Sequence, residues 1–261
     1  MSSSRRPGAG SQRGRGGGSK TTITAPTGRG VTVRVKTAAK RSVSSARWLE
    51  RQLNDPYVIE AQKQGYRSRA AFKLLQLDER FPFLKAGARI VDLGCAPGGW
   101  AQVAAAKVFK AGSAKEGSAK EGGAKGGKII GIDLLPVDPI PGAELIQMDF
   151  MAEEAPETLK RLLDGPADVV LSDMAASATG HARTDHLKIM ALAEAAYEFA
   201  AEVLAPGGTF IAKVLQGGAT GTLLASLKRD FAEVKHVKPP ASRADSAEIY
   251  VVALKFRGNK S

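Results

Sequence analysis

Lys213 lies within Phe210-Ile211-Ala212-Lys213-Val214, a run of apolar and β-branched residues in which an ammonium group is out of place. On an edge strand such a lysine would snorkel to water along its aliphatic stem. On a strand covered on both faces it cannot, and an unpaired buried ammonium is costly enough that a carboxylate has to lie beside it. Asp173, closing Leu171-Ser172-Asp173 on what should be the neighbouring strand, is the natural partner. A lysine and a carboxylate held together can move a proton to or from a reacting group. Lys73 and Glu248 are weaker signals, each by itself reading as a surface charge.

A second chemistry-bearing segment is Val91-Asp92-Leu93-Gly94-Cys95-Ala96-Pro97-Gly98-Gly99-Trp100. It falls between a β-rich run and a helical one, where a doubly wound α/β fold binds its nucleotide, and its glycines allow close backbone approach. A dinucleotide fingerprint needs glycine where Ala96 stands, and Pro97 stiffens the turn, which argues against a pyrophosphate cradle. An adenosine bearing a short charged amino acid needs instead a carboxylate for the ribose hydroxyls and an acid or amide for the adenine amine. Asp133 ends the second strand, where the ribose-binding acid belongs, and Asp149 ends the third, where it can accept from the adenine amino group. Singly, each is as readily a helix cap or turn residue. Asp133, Asp149 and Asp173 together at one sheet edge narrow the cofactor to S-adenosylmethionine.

The elements that must position these residues follow from hydrophobic spacing. Arg47 to Gln64 and Arg69 to Asp78 carry apolar residues at helical intervals and predict two helices before the first strand. Strands are predicted at 89–93, 128–132, 144–148, 168–172, 209–215, 233–238 and 248–256, with helices at 98–109, 185–204 and 222–231 and helical patterns in the remaining gaps. Pro206-Gly207-Gly208 reads as the stop of the long helix. This alternation predicts a Rossmann-like, mostly parallel seven-stranded sheet with helices on both faces and ligands at the carboxyl ends of the strands. No helix separates the last two strands, so the final one can run antiparallel.

Composition bounds the rest. The chain of 261 residues, 43% hydrophobic, is large enough for one domain with a real core. It contains no run of roughly 18 apolar residues and no secretory leader, so a soluble intracellular protein without membrane contact is expected. The one cysteine, Cys95, rules out an internal disulfide and a multi-cysteine metal site, and no metal is expected. The formal charge of +12 is concentrated in residues 1–49, which hold 11 Lys or Arg and no acid, leaving 27 basic against 26 acidic residues elsewhere. Residues 1–43 are therefore expected to be a disordered basic tail, either solubilising or phosphate-gripping, and 44–257 the folded domain. Such a tail also has the composition of a mitochondrial transit peptide. Within the domain, 111–127 repeats Gly-Ser-Ala-Lys-Glu and reads as a flexible surface insert.

Taken together, Arg67-Ser68-Arg69-Ala70 with Phe72-Lys73-Leu74, the Asp92 to Trp100 loop, Asp133 to Pro136, Leu171 to Ala175, Leu204 to Gly208, Lys213-Val214 with Gln216-Gly217, and Ser242-Arg243 followed by Ser246 to Tyr250 resemble the FtsJ-type ribose 2'-O-methyltransferases over about 42–253. The resemblance implies S-adenosylmethionine as cofactor, contacted by Gly98, Trp100, Asp133, Asp149 and Asp173. It implies a Lys-Asp-Lys-Glu tetrad at Lys73, Asp173, Lys213 and Glu248, with Lys213 as base. The substrate it implies is a uridine ribose in 23S ribosomal RNA, probed by a monomer in the bacterial cytoplasm on the large ribosomal subunit; a mitochondrial matrix location is the alternative. Ala175-Ala176-Ser177 departs from the family's proline and asparagine on the substrate side, and the long tail and the insert are extra. Lys63, Arg67, Arg69, Lys85, Lys235, Lys238 and Arg243 are the expected phosphate contacts. Two other readings stand beside this one: a noncatalytic RNA-binding assembly factor of the same fold, and a nicotinamide-dependent oxidoreductase. An intact tetrad disfavours the first, and Ala96 with Pro97 the second. Amine methylation lacks its usual proline-containing segment after Asp173, and pyrimidine carbon methylation usually needs a cysteine nucleophile where only the loop's Cys95 exists.

Overall fold

The computed structural model describes residues 42–109, 127–176, 179–216 and 221–258. Residues 1–41 of the expected tail and 110–126, which hold nearly all of the expected insert, lie outside the described residues. The elements run α1 (Val43–Leu53), α2 (Pro56–Gln64), α3 (Ala70–Arg80), β1 (Arg89–Leu93), α4 (Gly99–Val108), β2 (Lys128–Asp133), β3 (Ala143–Gln147), α5 (Ala155–Leu163), β4 (Ala167–Ser172), α6 (Ala182–Val203), β5 (Leu204–Leu215), α7 (Gly221–Asp230), β6 (Phe231–Val237) and β7 (Glu248–Phe256). The strands form one sheet of order β3-β2-β1-β4-β5-β7-β6, in which β7 is antiparallel to both neighbours and the other pairings are parallel.

Side-chain alternation along the strands sorts the core into two halves. Val91, Leu93, Val170, Phe210, Ala212, Val251 and Ala253 face α5, α6 and α7. Ile90, Val169, Leu171, Ile211, Tyr250 and Val252 face α3 and α4. With a period of two, Asp92, Asp173, Lys213 and Glu248 all belong to the second face. The fold therefore brings residues separated by more than a hundred positions in the chain to one side of the sheet, beneath the helix that carries Lys73.

Three expectations about elements need correction. The run 47–64 is two helices, because Asp55 is extended (φ −77°, ψ 116°), accepts the Tyr57 N–H through its side chain and precedes Pro56 at the first helical position; the residue before a proline disfavours the helical region, and proline suits a helix start. No helix fills 134–142, where Pro136, Pro139, Pro141 and Gly142 (φ +83°) hold a turn closed by an Ile140–Ala143 bridge. Pro206-Gly207-Gly208 belongs to β5, which starts directly at Leu204 and absorbs the proline and glycines in a register shift opposite Ala167 and Val169.

Candidate active site

The side chains expected to do chemistry meet at the carboxyl edge of the sheet. Lys213 lies opposite Tyr250 in the β5–β7 ladder. Its Nζ donates to the Asp173 main-chain carbonyl at 2.7 Å and lies 3.2 Å from Asp173 Oδ1. The Tyr250 hydroxyl donates to the same Oδ1 at 2.7 Å and accepts from Lys73 Nζ at 3.2 Å. Lys73 is held in turn by both Glu248 oxygens, at 2.7 and 2.9 Å, and the Ser242 hydroxyl donates to Glu248 Oε1 at 2.9 Å. Two lysine–carboxylate pairs are thus joined through one phenol. Burial, followed by the Asp173 and Glu248 carboxylates, holds the Tyr250 proton on well above the ordinary phenol range. The four charged side chains remain 10–17% exposed, enough to meet a ligand, whereas Tyr250 is fully buried.

The glycine loop is braced from both sides. Gly94 and Cys95 donate their N–H groups to the Ile132 carbonyl, and the Ala96 N–H donates to Asp133 Oδ2 at 2.9 Å. Asp133 Oδ1 accepts the Leu135 N–H. Gly94 adopts φ +78° beneath Met174, whose Cα would stand 2.8 Å from an added Cβ. Gly98, at φ +110°, caps α4 without a side-chain bond, and the first turn of that helix, Gly99 to Ala101, is buried beside the loop.

Two cavities flank this arrangement. One, of about 380 Å³, is lined by Gly94, Asp133, Asp149, Phe150, Met174 and Leu192, among others. Its two carboxylates and apolar walls suit a ribose diol and a purine, and carboxylate oxygens that already accept one N–H keep lone pairs for a ligand. The other, of about 360 Å³, is lined by Arg51, Arg69, Lys73, Arg243, Ser246 and Glu248, with Asp245. The polar line from Asp173 to Glu248 runs between them, Met174 beside the first and Lys73 in the second. A larger groove of about 770 Å³, lined by Arg80 to Phe83, Lys85 to Ala88 and Pro206 to Thr209 among others, holds no expected cofactor or tetrad residue, and of the expected phosphate contacts only Lys85.

The placements divide the expected cofactor set. Asp133 and Asp149 face the first cavity. The Trp100 indole does not line it: the ring is buried against Tyr250 and donates to the Ala70 carbonyl, which leaves Trp100 only its main chain to offer a ligand. Among the expected phosphate contacts, Arg67 is bonded to the Pro97, Asp138 and Pro139 carbonyls, Arg69 to Asp55 and the Ala241 carbonyl, and Lys238 to the Ala244 and Ser246 carbonyls. Arg243 bonds Asp55 and Gln52 and still lines the second cavity. Lys85 and Lys235 are exposed.

Two residues escaped the sequence reading. Asp92 is fully buried with neither carboxylate oxygen bonded, and burial, then the neighbouring Asp173 and Asp133 carboxylates, push its pKa up to about 8. An acid inside the apolar run Ile90-Val91-Asp92-Leu93 is the same signal that singled out Lys213. Tyr250 sits two positions after Glu248, hence on its face of the strand, but its pairing with Lys213 depends on a ladder register that no local pattern reveals. Burial, with the Asp92 and Asp133 carboxylates, pushes the Cys95 thiol far up, so it is no thiolate nucleophile at neutral pH.

A seven-stranded sheet of this order with a reversed β7, a glycine loop after β1 and acids along the carboxyl edge is the Rossmann-like fold of the class I methyltransferases. Residues 66–256 match the FtsJ-like methyltransferase family, and the chain belongs to it. It is 60% identical over 233 residues to "Ribosomal RNA large subunit methyltransferase E" of Xanthobacter autotrophicus, covering 89% of this chain and 87% of that protein. The protein of the same name from Paramagnetospirillum magneticum is 59% identical over 242 residues, covering 92% and 95%. A Plasmodium falciparum crystal structure, provisionally named a ribosomal RNA methyltransferase, superposes with a TM-score of 0.61 at 34% identity, covering 74% of this chain and all of that one.

Proposed function

We propose that this protein transfers the methyl group of S-adenosylmethionine to a ribose 2'-hydroxyl, that of a uridine, in 23S ribosomal RNA of the large subunit. The observation that carries the reading is the polar line Lys213–Asp173–Tyr250–Lys73–Glu248 lying between an acid-lined apolar cavity and a basic one. The first cavity takes the cofactor, with Asp133 at the ribose hydroxyls and Asp149 at the adenine amine, while Gly98 and the Trp100 main chain serve its amino-acid end. Three carboxylates at this edge, Asp133, Asp149 and Asp173, suit a cationic sulfonium and would repel a pyrophosphate. Bound there, S-adenosylmethionine supplies an electrophilic methyl group.

The chain's own residues do the rest. A ribose hydroxyl is a weak nucleophile at neutral pH, so a base that removes its proton as it attacks lowers the barrier. Lys213, in its neutral form, accepts that proton, and Asp173 fixes its Nζ through two oxygens of one residue. Lys73, locked by Glu248, presents a positive group from the basic cavity that orients the acceptor nucleotide. Much of the acceleration comes from holding hydroxyl and methyl group in line. Domain 44–257 acts in this reading as a monomer in the bacterial cytoplasm.

The test is incubation of the full chain with isotopically labelled S-adenosylmethionine and large ribosomal subunits from a bacterium lacking the corresponding enzyme, followed by mapping of the label. Label on one uridine 2'-oxygen is expected. Label on a base, or none despite cofactor binding, contradicts the reading, and the second result would favour a noncatalytic assembly factor.

A further inference from the structure

Arg67 carries a charge that suggests RNA, yet its guanidinium turns inward across the glycine loop. Nη1 donates to the Asp138 carbonyl at 2.7 Å and to the Pro97 carbonyl at 3.4 Å, and Nη2 donates to the Pro139 carbonyl at 2.9 Å. Its main-chain N–H donates to Gln102 Oε1 at 2.8 Å, and Gln102 Nε2 donates to the Gly65 carbonyl at 3.0 Å. The approach is close: a Cβ on Gly98 would stand 2.9 Å from Arg67 Nη1. One side chain thereby ties together Pro97 in the loop after β1 and the helix-free segment after β2. These two segments furnish Gly94, Asp133 and Leu134 to the acid-lined cavity.

We propose that Arg67 is a positioning residue for the cofactor site, a clasp that sets the spacing of the two loops around the cavity, and that it does not grip RNA. The inference rests on the proposed use of that cavity for S-adenosylmethionine. Loops joined in advance cost a ligand less ordering entropy than loops it must gather itself. A planar fork with several donors can reach three carbonyls at once, which a lysine ammonium on a flexible stem cannot reproduce, so the role depends on arginine rather than on charge.

The experiment measures two affinities in the full chain carrying Arg67→Lys, Arg67→Ala or Gln102→Ala. S-adenosylhomocysteine is titrated by calorimetry, and unmethylated large ribosomal subunits are titrated by filter binding over a salt series. Both Arg67 variants are expected to bind S-adenosylhomocysteine about tenfold or more weakly, the equivalent of one lost charged hydrogen bond. They should raise the KM for the methyl donor while leaving kcat at saturating donor close to wild type, and leave subunit affinity and its salt dependence unchanged. Gln102→Ala, which alters no charge, is expected to weaken cofactor binding in the same direction. Circular dichroism at the assay temperature fixes the folded fraction, and if Arg67→Ala does not fold, the other two variants carry the test. Wild-type cofactor affinity in Arg67→Lys overturns the clasp, as does a fall of about 0.7 to 0.9 in the salt slope of Arg67→Ala, the mark of a lost phosphate contact. A wild-type chain that fails to bind S-adenosylhomocysteine overturns the proposed function instead.

Discussion

Replacing Asp92 with Asn should make the protein more stable, and increasingly so as the pH rises. The folded chain holds this carboxyl, buried and without a bonded partner, at a pKa of about 8 against an ordinary 3.8. A folded state that keeps a proton the unfolded chain releases loses stability as pH rises through that window, by about 1.4 kcal/mol per pH unit. Between pH 5 and pH 8 the loss accumulates to roughly 4 kcal/mol, and above pH 8 it levels off because both states are ionised. Asparagine has the same shape and cannot ionise, so the variant escapes this loss. Urea unfolding of both proteins at pH 5, 6, 7 and 8 gives the comparison, and taking the difference at each pH cancels the groups they share. A stability gap that widens by roughly 4 kcal/mol toward pH 8 is expected. Parallel profiles would refute the reasoning and mean that Asp92 is ionised and compensated in the native state. The position of Asp92 at the head of the glycine loop makes the cost intelligible, since strongly perturbed carboxyls cluster at functional sites.

Gly94→Ala meets both a left-handed backbone (φ +78°) and the Met174 main chain 2.8 Å away. It should lower stability by about 2–3 kcal/mol and reduce the rise in melting temperature produced by S-adenosylhomocysteine, read in one thermal-shift series. Asp55, 7% exposed, is shared by Arg69 and Arg243 and caps α2. Its replacement by Ala removes the carboxylate that both guanidinium groups share, leaving Arg69 the Ala241 carbonyl and Arg243 the Gln52 amide, and should cost about 3 kcal/mol by urea denaturation; an unchanged midpoint would mean that both arginines find water.

The sheet, its strands and the Lys213–Asp173 pair were legible because they depend on local pattern: an apolar run, a turn, a charge where no charge belongs; Lys73 and Glu248 read singly as surface charges and entered only through the family resemblance. Lys213 with Asp173 followed from the cost of burying an ammonium, and the same argument applied to Asp92 would have found the second anomaly. Boundaries misread where one residue outweighs periodicity, as Pro56 does between α1 and α2, and where prolines exclude a helix after β2. What the sequence least reveals is what Arg67 and Arg69 bond. Sequence reports their charge but not their partners, and the carbonyls of Asp138, Pro139 and Ala241 are 71, 72 and 172 positions away. Tyr250 escaped for a similar reason, because its place between Lys73 and Asp173 exists only once β7 runs antiparallel in its particular register against β5.

The central claim is that Lys213 is the base of a methyl transfer whose cofactor sits elsewhere in the site. Single-turnover transfer from labelled S-adenosylmethionine to unmethylated large subunits, compared between wild type and Lys213→Ala at saturating cofactor, tests it most directly. A rate loss of about 10²-fold to 10⁴-fold or more is predicted, with the dissociation constant for S-adenosylhomocysteine within about twofold of wild type, since Lys213 does not line the acid-lined cavity. A Lys213→Ala protein that methylates at the wild-type rate, or that loses the rate only because it no longer binds cofactor, would contradict the account.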